Sequence, residues 1–360
     1  LALVGSAGKA TTAVPTEIFN RDIDPSRRLA SAYPGLCPLI VNTAVSQVFE
    51  AYEREARRWK RVYVGLGMTA LISIFLAMVL FDFQFSLQGA YRVPRFVSIL
   101  SEIVAAVGLV SQIALLTGGV SDRWLVARFA AERVRCLKFQ AFALIGQSPD
   151  AQTLAAKVDA FFNEQLARLE QEIMGGRSAV EEFSPSELPH APKIPAPGAN
   201  SVLMHDGAVV YDSLRLGVQA QHLERQAHAC EDRARLPALV SEATFVIGGL
   251  MALSQILFIA WSGILLHAIP MLGGLTQSWI GFVTLLMFVI SAIVAVYQRG
   301  SGNEFHMERY KHYAREVRRI RTRANEGGMG LLETVAQMED VALRELFDFC
   351  RDARHSNYIF

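Results

Sequence analysis

Residues 62–81 read VYVGLGMTALISIFLAMVLF, a run with no charged side chain, closed by Arg61 on one side and Asp82 on the other. A helix rises about 1.5 Å per residue, so about 20 apolar residues are needed to cross the ~30 Å hydrocarbon core of a bilayer, and this run is that long. Three more runs match it. Phe96–Val120 is interrupted only by Glu102, and Ala243–Leu266 and Trp279–Gln298 carry no charge at all. Buried helices of soluble proteins seldom sustain such lengths without a charge, and here it happens four times. Charged residues are only 19% of the chain because these runs dilute a sequence that is well charged elsewhere. The expected fold is an all-α membrane protein with four transmembrane helices, arranged as two hairpins with cytoplasmic flanking helices.

The flanks follow an order that occurs twice. Residues 1–42 are rich in proline and small residues and read as irregular, opening with one short strand. A charged helix over Thr43–Arg61 leads into the first span, and a loop over Asp82–Arg95 joins it to the second. The basic stretch DRWLVARFAAERVRCLKFQAF, residues 122–142, then reads as a helix leaving the membrane. After a linking region the pattern restarts. A charged helix over Asp212–Arg235 precedes the third span, and a basic helix over Glu304–Asn325 follows the fourth. Arg128-Phe-Ala-Ala-Glu132 aligns with His312-Tyr-Ala-Arg-Glu316. The repetition implies an internal duplication, with one unit over 43–145 and a second over 211–325.

Between the units, 146–210 holds a helix and a linker. Leu154, Val158, Phe161, Phe162, Leu166, Leu169 and Ile173 recur at helical spacing and predict a helix over Ala151–Met174. SPSELPHAPKIPAPGAN, residues 184–200, is a proline-rich linker. SVLMHDGAVVY, residues 201–211, reads as a small β-hairpin turning at Asp206-Gly207. Residues 326–360 close the chain with an amphipathic helix over Leu331–Arg351.

Basic residues near short-loop spans set their orientation. Arg54, Arg57, Arg58, Lys60 and Arg61 precede the first span, and Arg123, Arg128, Arg133, Arg135 and Lys138 follow the second. The loop between them has only Arg92 and Arg95. Arg225, Arg233 and Arg235 precede the third span, and eight basic residues from Arg299 to Arg323 follow the fourth. The loop His267–Ser278 has none. Both termini and the central linker are therefore expected in the cytoplasm. The basic helices are topology signals and solvated faces, and they are also able to attract anionic lipid head groups.

Helices in lipid associate through small and polar residues, because lipid removes the hydrophobic drive. The first span offers Gly65, Thr69, Ser73 and Ala77 at four-residue spacing. The second offers Ser98, Ser101, Ala105, Gly108 and Gln112, and the third Thr244, Gly248, Ala252 and Gln255. Glu102 is the one carboxylate inside an apolar run. An ionisable group at membrane depth is costly and is a functional candidate by default. Two readings stand: Glu102 lines an aqueous path or gate, or it anchors at the interface, paired with Arg95. The polar stripe either lines such a path in a homo-oligomer or holds a bundle together without conduction.

Nothing points to catalysis. His222 and His228 are six positions apart, as are His306 and His312, which is not the i,i+4 spacing of a helical zinc site. Cys37, Cys136, Cys230 and Cys350 are scattered, so neither a metal nor a disulfide framework is expected. No cofactor is expected. The net charge of +1 points to no nucleic-acid partner. GSAGK at Gly5–Lys9 is shorter than a phosphate-binding loop, which needs GxxxxGK followed by Ser or Thr between a strand and a helix. It leaves open the tail of an upstream nucleotide-binding domain.

The order of elements, with Trp124, Arg128, Ala131 and Glu132 after a transmembrane hairpin, resembles the SLATT family of bacterial two-transmembrane effector domains that associate with SMODS and SLOG proteins. The first unit carries the resemblance. The second keeps the architecture but has Phe305 or His306 near the place of the tryptophan. The resemblance implies a non-enzymatic effector of the bacterial inner membrane. On a signal from a nucleotide-sensing partner or fused domain, it would oligomerise and breach the lipid bilayer in antiviral defence. The alternatives are a non-conducting scaffold whose cytoplasmic helices dock a partner, and a membrane tether for a nucleotide-binding domain.

Overall fold

The computed structural model describes residues 22–23, 27–87, 95–184, 195–265 and 270–355, and these contain helices and no strand. Gly5–Lys9, the expected opening strand, Arg92 and most of the loop His267–Ser278 lie outside the described residues or their described side chains. Short helices α1 (Arg27–Ala32) and α2 (Cys37–Ile40) come first, with a 3-10 turn at Pro34–Leu36 between them. The long helix α3 covers Thr43–Leu87, α4 covers Arg95–Thr117 and α5 covers Val120–Gln140, followed by a 3-10 stretch at Ala141–Gln147. Then come α6 (Ala151–Met174), α7 (Arg177–Glu182) and α8 (Ser201–Tyr211). A π-helical segment at Asp212–Leu216 leads into α9 (Gly217–Leu265). The chain ends with α10 (Pro270–Ser301), α11 (Asn303–Asn325) and α12 (Leu331–His355).

Four helical segments are long and apolar enough to cross a membrane, and they overlap the four runs read from the sequence. The charged helix and the first span are one helix, α3, because no breaker separates Arg61 from Val62. The charged stretch before the third span likewise continues through it as α9, with Pro237 inside. Proline removes one backbone donor, but a long helix tolerates this with a local bend. Both hairpins leave their second span at a glycine with positive φ, Gly119 at 61° and Gly302 at 56°. These breaks separate α4 from α5 and α10 from α11, and a left-handed backbone there disfavours any side chain.

Two expectations are corrected. Residues 201–211 are not a β-hairpin but helix α8. Asn200 caps its start, accepting from the backbone N–H of Val202 and Leu203 at 2.9 and 3.1 Å. Leu203, Gly207, Val210 and Tyr211 form its buried face. Gly207 is there for close approach and not for a turn, since a Cβ would stand 2.6 Å from Ile145 Cδ1 and 2.9 Å from Leu331 Cδ2. The stretch 27–40, within a segment expected to be irregular, is helical in short pieces. Leu36, Leu39 and Ile40 are drawn into the core, so tertiary burial overrides weak local propensity.

By contacts the chain divides into two compact units, which cut across the sequence order. One comprises residues 1–54, 127–225 and 311–349, and the other 55–126, 226–310 and 350–360. The first unit holds most of the buried aromatic and aliphatic side chains, among them Phe49, Phe129, Phe139, Phe142, Phe162 and Tyr211. The second holds the four apolar runs, whose Ile72, Phe81, Ile103, Val110, Leu250 and Ile256 remain exposed. Exposed apolar side chains along helices of this length are what a lipid environment accommodates.

The core of the first unit contains an ion pair almost wholly removed from solvent. Arg215, from the π segment, donates through Nε and Nη2 to the two carboxylate oxygens of Glu339 on α12, each at 2.9 Å. Tyr211 donates to the same carboxylate at 2.9 Å, and the guanidinium lies 4.6 Å from the ring centroid of Phe139. Glu339→Ala leaves Arg215 uncompensated and is expected to cost about 3 to 5 kcal/mol. Removing the exposed Arg319–Glu316 pair is expected to cost at most about 1 kcal/mol. Equilibrium unfolding of the detergent-solubilised protein compares the two, and equal losses would refute the assignment.

Candidate functional site

The positions that carry the family resemblance lie where α5 meets α3. Tyr63 on α3 stacks on Trp124 with ring centroids 5.8 Å apart and planes inclined by 18°. One turn on, Arg128 pairs with Glu53 of α3 at 3.1 Å and with Glu132 of its own helix. Ala131 is fully buried, and its methyl group leaves room for the close approach of α5 to its neighbours. Glu132 accepts two hydrogen bonds from Nη1 of Arg135, both at 2.8 Å. Trp124 thus stacks on Tyr63 within one unit, and Arg128, Glu53, Glu132 and Arg135 form an ion-pair ladder within the other.

The ladder continues through residues that the sequence reading used only as topology signals. Arg135 is 3.1 Å from the carboxylate of Asp22 and lies 4.9 Å from the Phe49 ring centroid. Lys138 is buried and donates to three backbone carbonyls, those of Asp22 (2.9 Å), Ile23 (2.5 Å) and Ile40 (3.2 Å). An ammonium has three donors, so this arrangement satisfies it fully. No periodicity in the sequence marks Lys138 for this, because its partners lie about a hundred positions away.

Electrostatics follow from that crowding of guanidinium groups. Burial opposes ionisation of Glu132, but Arg128 and Arg135 outweigh it and hold the carboxyl at about 2, below its ordinary 4.5. Burial first, then Arg135 and Arg128, push the His222 imidazole down to about 3. Burial lifts the Cys136 thiol to about 12, with Glu339 adding to it, so this cysteine is an inert core residue. No group of His, Cys, Asp or Glu among the described residues is able to hold a metal ion.

In the second unit each hairpin closes on small residues. Ser101 Oγ donates to the Ala77 carbonyl at 3.3 Å. Gly108 is buried, and a Cβ there would be 3.2 Å from Ser73 Cβ and 3.3 Å from Ile74 Cγ1. Ser98 and Gln112 are half-buried at the margins of this contact, while Ala105 and Glu102 are exposed. Ser111, which the sequence stripe passed over, is buried in place of Gln112. In the other hairpin, Ser291 Oγ donates to the Ser241 carbonyl at 3.1 Å. Gly248 there is buried, with Met287 Cβ 3.2 Å from where a Cβ would stand. Thr244, Ala252 and Gln255 are half-buried, and Gln255 faces Gly281. Gly65 and Thr69 point away from their hairpin contact and are exposed. Phe83 meets Phe282 edge-on at 5.8 Å, joining the first and fourth spans. Asp82, which closes the first apolar run, is 2% exposed, and no sequence signal foretold its burial.

Two outcomes follow. Gly108→Leu forces a side chain against Ser73 and Ile74, and is expected to destabilise the first hairpin by about 1 to 3 kcal/mol. Heat-induced loss of helicity in detergent measures it, and an unchanged midpoint would contradict the contact. His222 is neutral when folded and binds a proton below its ordinary 6.5 when unfolded, so stability is full above 6.5 and falls as pH drops toward about 3. Glu132 adds a second loss as pH falls from 4.5 toward about 2. Burial first, then Arg309 and Lys60, hold the His306 imidazole at about 4, so His222→Gln is expected to reduce, and not abolish, the slope of melting temperature against pH between 6.5 and 4.5 and to leave the lower arm in place.

Set beside known proteins, the chain matches no protein-family profile, no curated protein and no solved structure at a significant level.

Proposed function

We propose that the chain is a non-enzymatic effector of the bacterial inner membrane, with both termini cytoplasmic, that self-associates and permeabilises the bilayer when a nucleotide-sensing partner or fused domain signals to it. This is the role implied by its resemblance to SLATT proteins. The observation that carries the reading is Glu102. It lies within the second apolar run, is exposed on the side of α4 away from the hairpin contact, and has no hydrogen-bond or ion-pair partner among the described residues. Hydrocarbon offers a carboxylate nothing, whereas a water-lined path between copies does. The exposed Ile99, Ile103 and Val110 beside it supply apolar surface for neighbouring helices.

Induced expression in bacteria with a membrane-potential dye tests this. Once triggered, wild type is expected to depolarise the membrane and arrest growth. Glu102→Leu is expected to accumulate in the membrane to the same level and, under the same trigger, to depolarise it much less. Normal growth and potential of wild-type cells under every trigger applied would sink the proposal.

A second reading, a non-conducting scaffold, draws on the first unit. Its interior ion pairs and the three-carbonyl clasp on Lys138 favour a rigid body on which a partner docks. Native mass spectrometry of the solubilised protein separates the readings. A stable monomer favours the scaffold, and a defined oligomer favours the effector.

A further inference from the structure

Trp59 lies on α3 just before the first apolar run, and two guanidinium groups from different helices converge on its indole. Arg123 Cζ, from α5, is 4.7 Å from the ring centroid, and Arg58 Cζ is 5.6 Å from it. Both arginines are exposed, and neither has a carboxylate partner among the described residues. Exposed arginines elsewhere differ, since Arg318 holds Glu224, Arg319 holds Glu316 and Arg344 holds Asp340. Glu55 accepts from the Trp59 Nε1–H at 3.3 Å. Arg61, also exposed, turns its Nε to the Arg57 carbonyl. Just beyond, Tyr63 and Trp124 stack where the apolar run begins.

We infer that Arg58, Arg123 and Trp59 form a binding site for the phosphate of an anionic phospholipid. The inference rests on the reading of 62–81 and 96–120 as membrane spans. That reading puts the cluster at the head-group level on the positively charged side. Amphipathic aromatic rings settle at that depth. An arginine stacked on an aromatic face keeps its planar edge free, and that edge matches two phosphate oxygens at once. Stacking of both guanidiniums on one ring also orders them before a lipid arrives, which lowers the entropy lost on binding. Before the third span, by contrast, Arg235 is paired with Glu231.

Full-length protein carrying bound lipid is examined by native mass spectrometry, with phosphatidylglycerol titrated against phosphatidylcholine. Wild type is expected to retain phosphatidylglycerol preferentially. R58Q/R123Q is expected to weaken that binding by about tenfold or more and to leave phosphatidylcholine unaffected. R58K/R123K keeps the charge but loses the planar fork, and is expected to fall between. R318Q/R319Q removes the same charge elsewhere and is expected to keep the preference. Inorganic phosphate is expected not to displace the lipid. Equal loss in R318Q/R319Q, displacement by phosphate, or no preference in wild type would each overturn the site. Alkaline carbonate extraction checks the spans separately, since release of the chain into the supernatant would overturn the membrane reading itself.

Discussion

Arg135, Lys138 and Arg215 keep their side chains in the interior of the first unit, and the elements around them are placed to answer that charge. Burying an unpaired cation is far costlier than any single packing contact returns, and each of the three meets carboxylates or backbone carbonyls, although Arg135 Nε itself makes no hydrogen bond. Glu339 and Tyr211 close on Arg215, Asp22 and Glu132 on Arg135, and three carbonyls on Lys138. These partners come from the N-terminal segment, α2, α5, α8 and α12. Aromatic rings of Phe49 and Phe139 cover the guanidinium faces that the carboxylates leave open. A π turn is an uncommon element that recurs at sites of strain and function. Here it carries Arg215 to Glu339, and the adjoining Asp212 holds Arg321 of α11 at 2.7 and 2.9 Å.

The second unit answers a different problem. Its helices carry few charges and bury little surface, so close approach replaces the hydrophobic drive. Gly108 and Gly248 bring their helices near enough for serine hydroxyls to reach backbone carbonyls across each hairpin. The outer faces keep Phe96, Leu109, Phe245 and Leu253 exposed. On the proposed reading, that surface is available both to lipid and to further copies of the chain, and Glu102 is the group that distinguishes them. On the same reading, Arg58, Trp59 and Arg123 would meet the boundary where hydrocarbon gives way to phosphate.

Much of this was legible in the residue order, because helix formation and span length are local properties. The apolar runs, the helix over Ala151–Met174 and the repeated order of elements need only length, period and charge to be seen. The reading of Asp206-Gly207 as a turn failed because glycine has two uses, a permissive backbone and the absence of a Cβ. Only the approach of Ile145 and Leu331 decides between them. Of the small and polar residues read along the first two spans, Ser101 and Gly108 meet the other helix, while Gly65, Thr69 and Ala105 are exposed and Ser111 is buried beside the half-buried Gln112.

By itself, then, the sequence determined that most of the described residues are helical and that four segments have the length and polarity of membrane spans. Tertiary structure alone decided which charges are buried and what they meet. Lys138 and the Asp22 carbonyl are 116 positions apart, and Arg215 and Glu339 are 124 apart. No local period encodes a partner at that distance. It also decided that Glu102 faces away from its own hairpin while Ser101, its neighbour, faces in. Rotation about a helix axis turns adjacent residues about 100° apart, so the choice of buried face, and not the composition of the run, sets which polar group is left exposed.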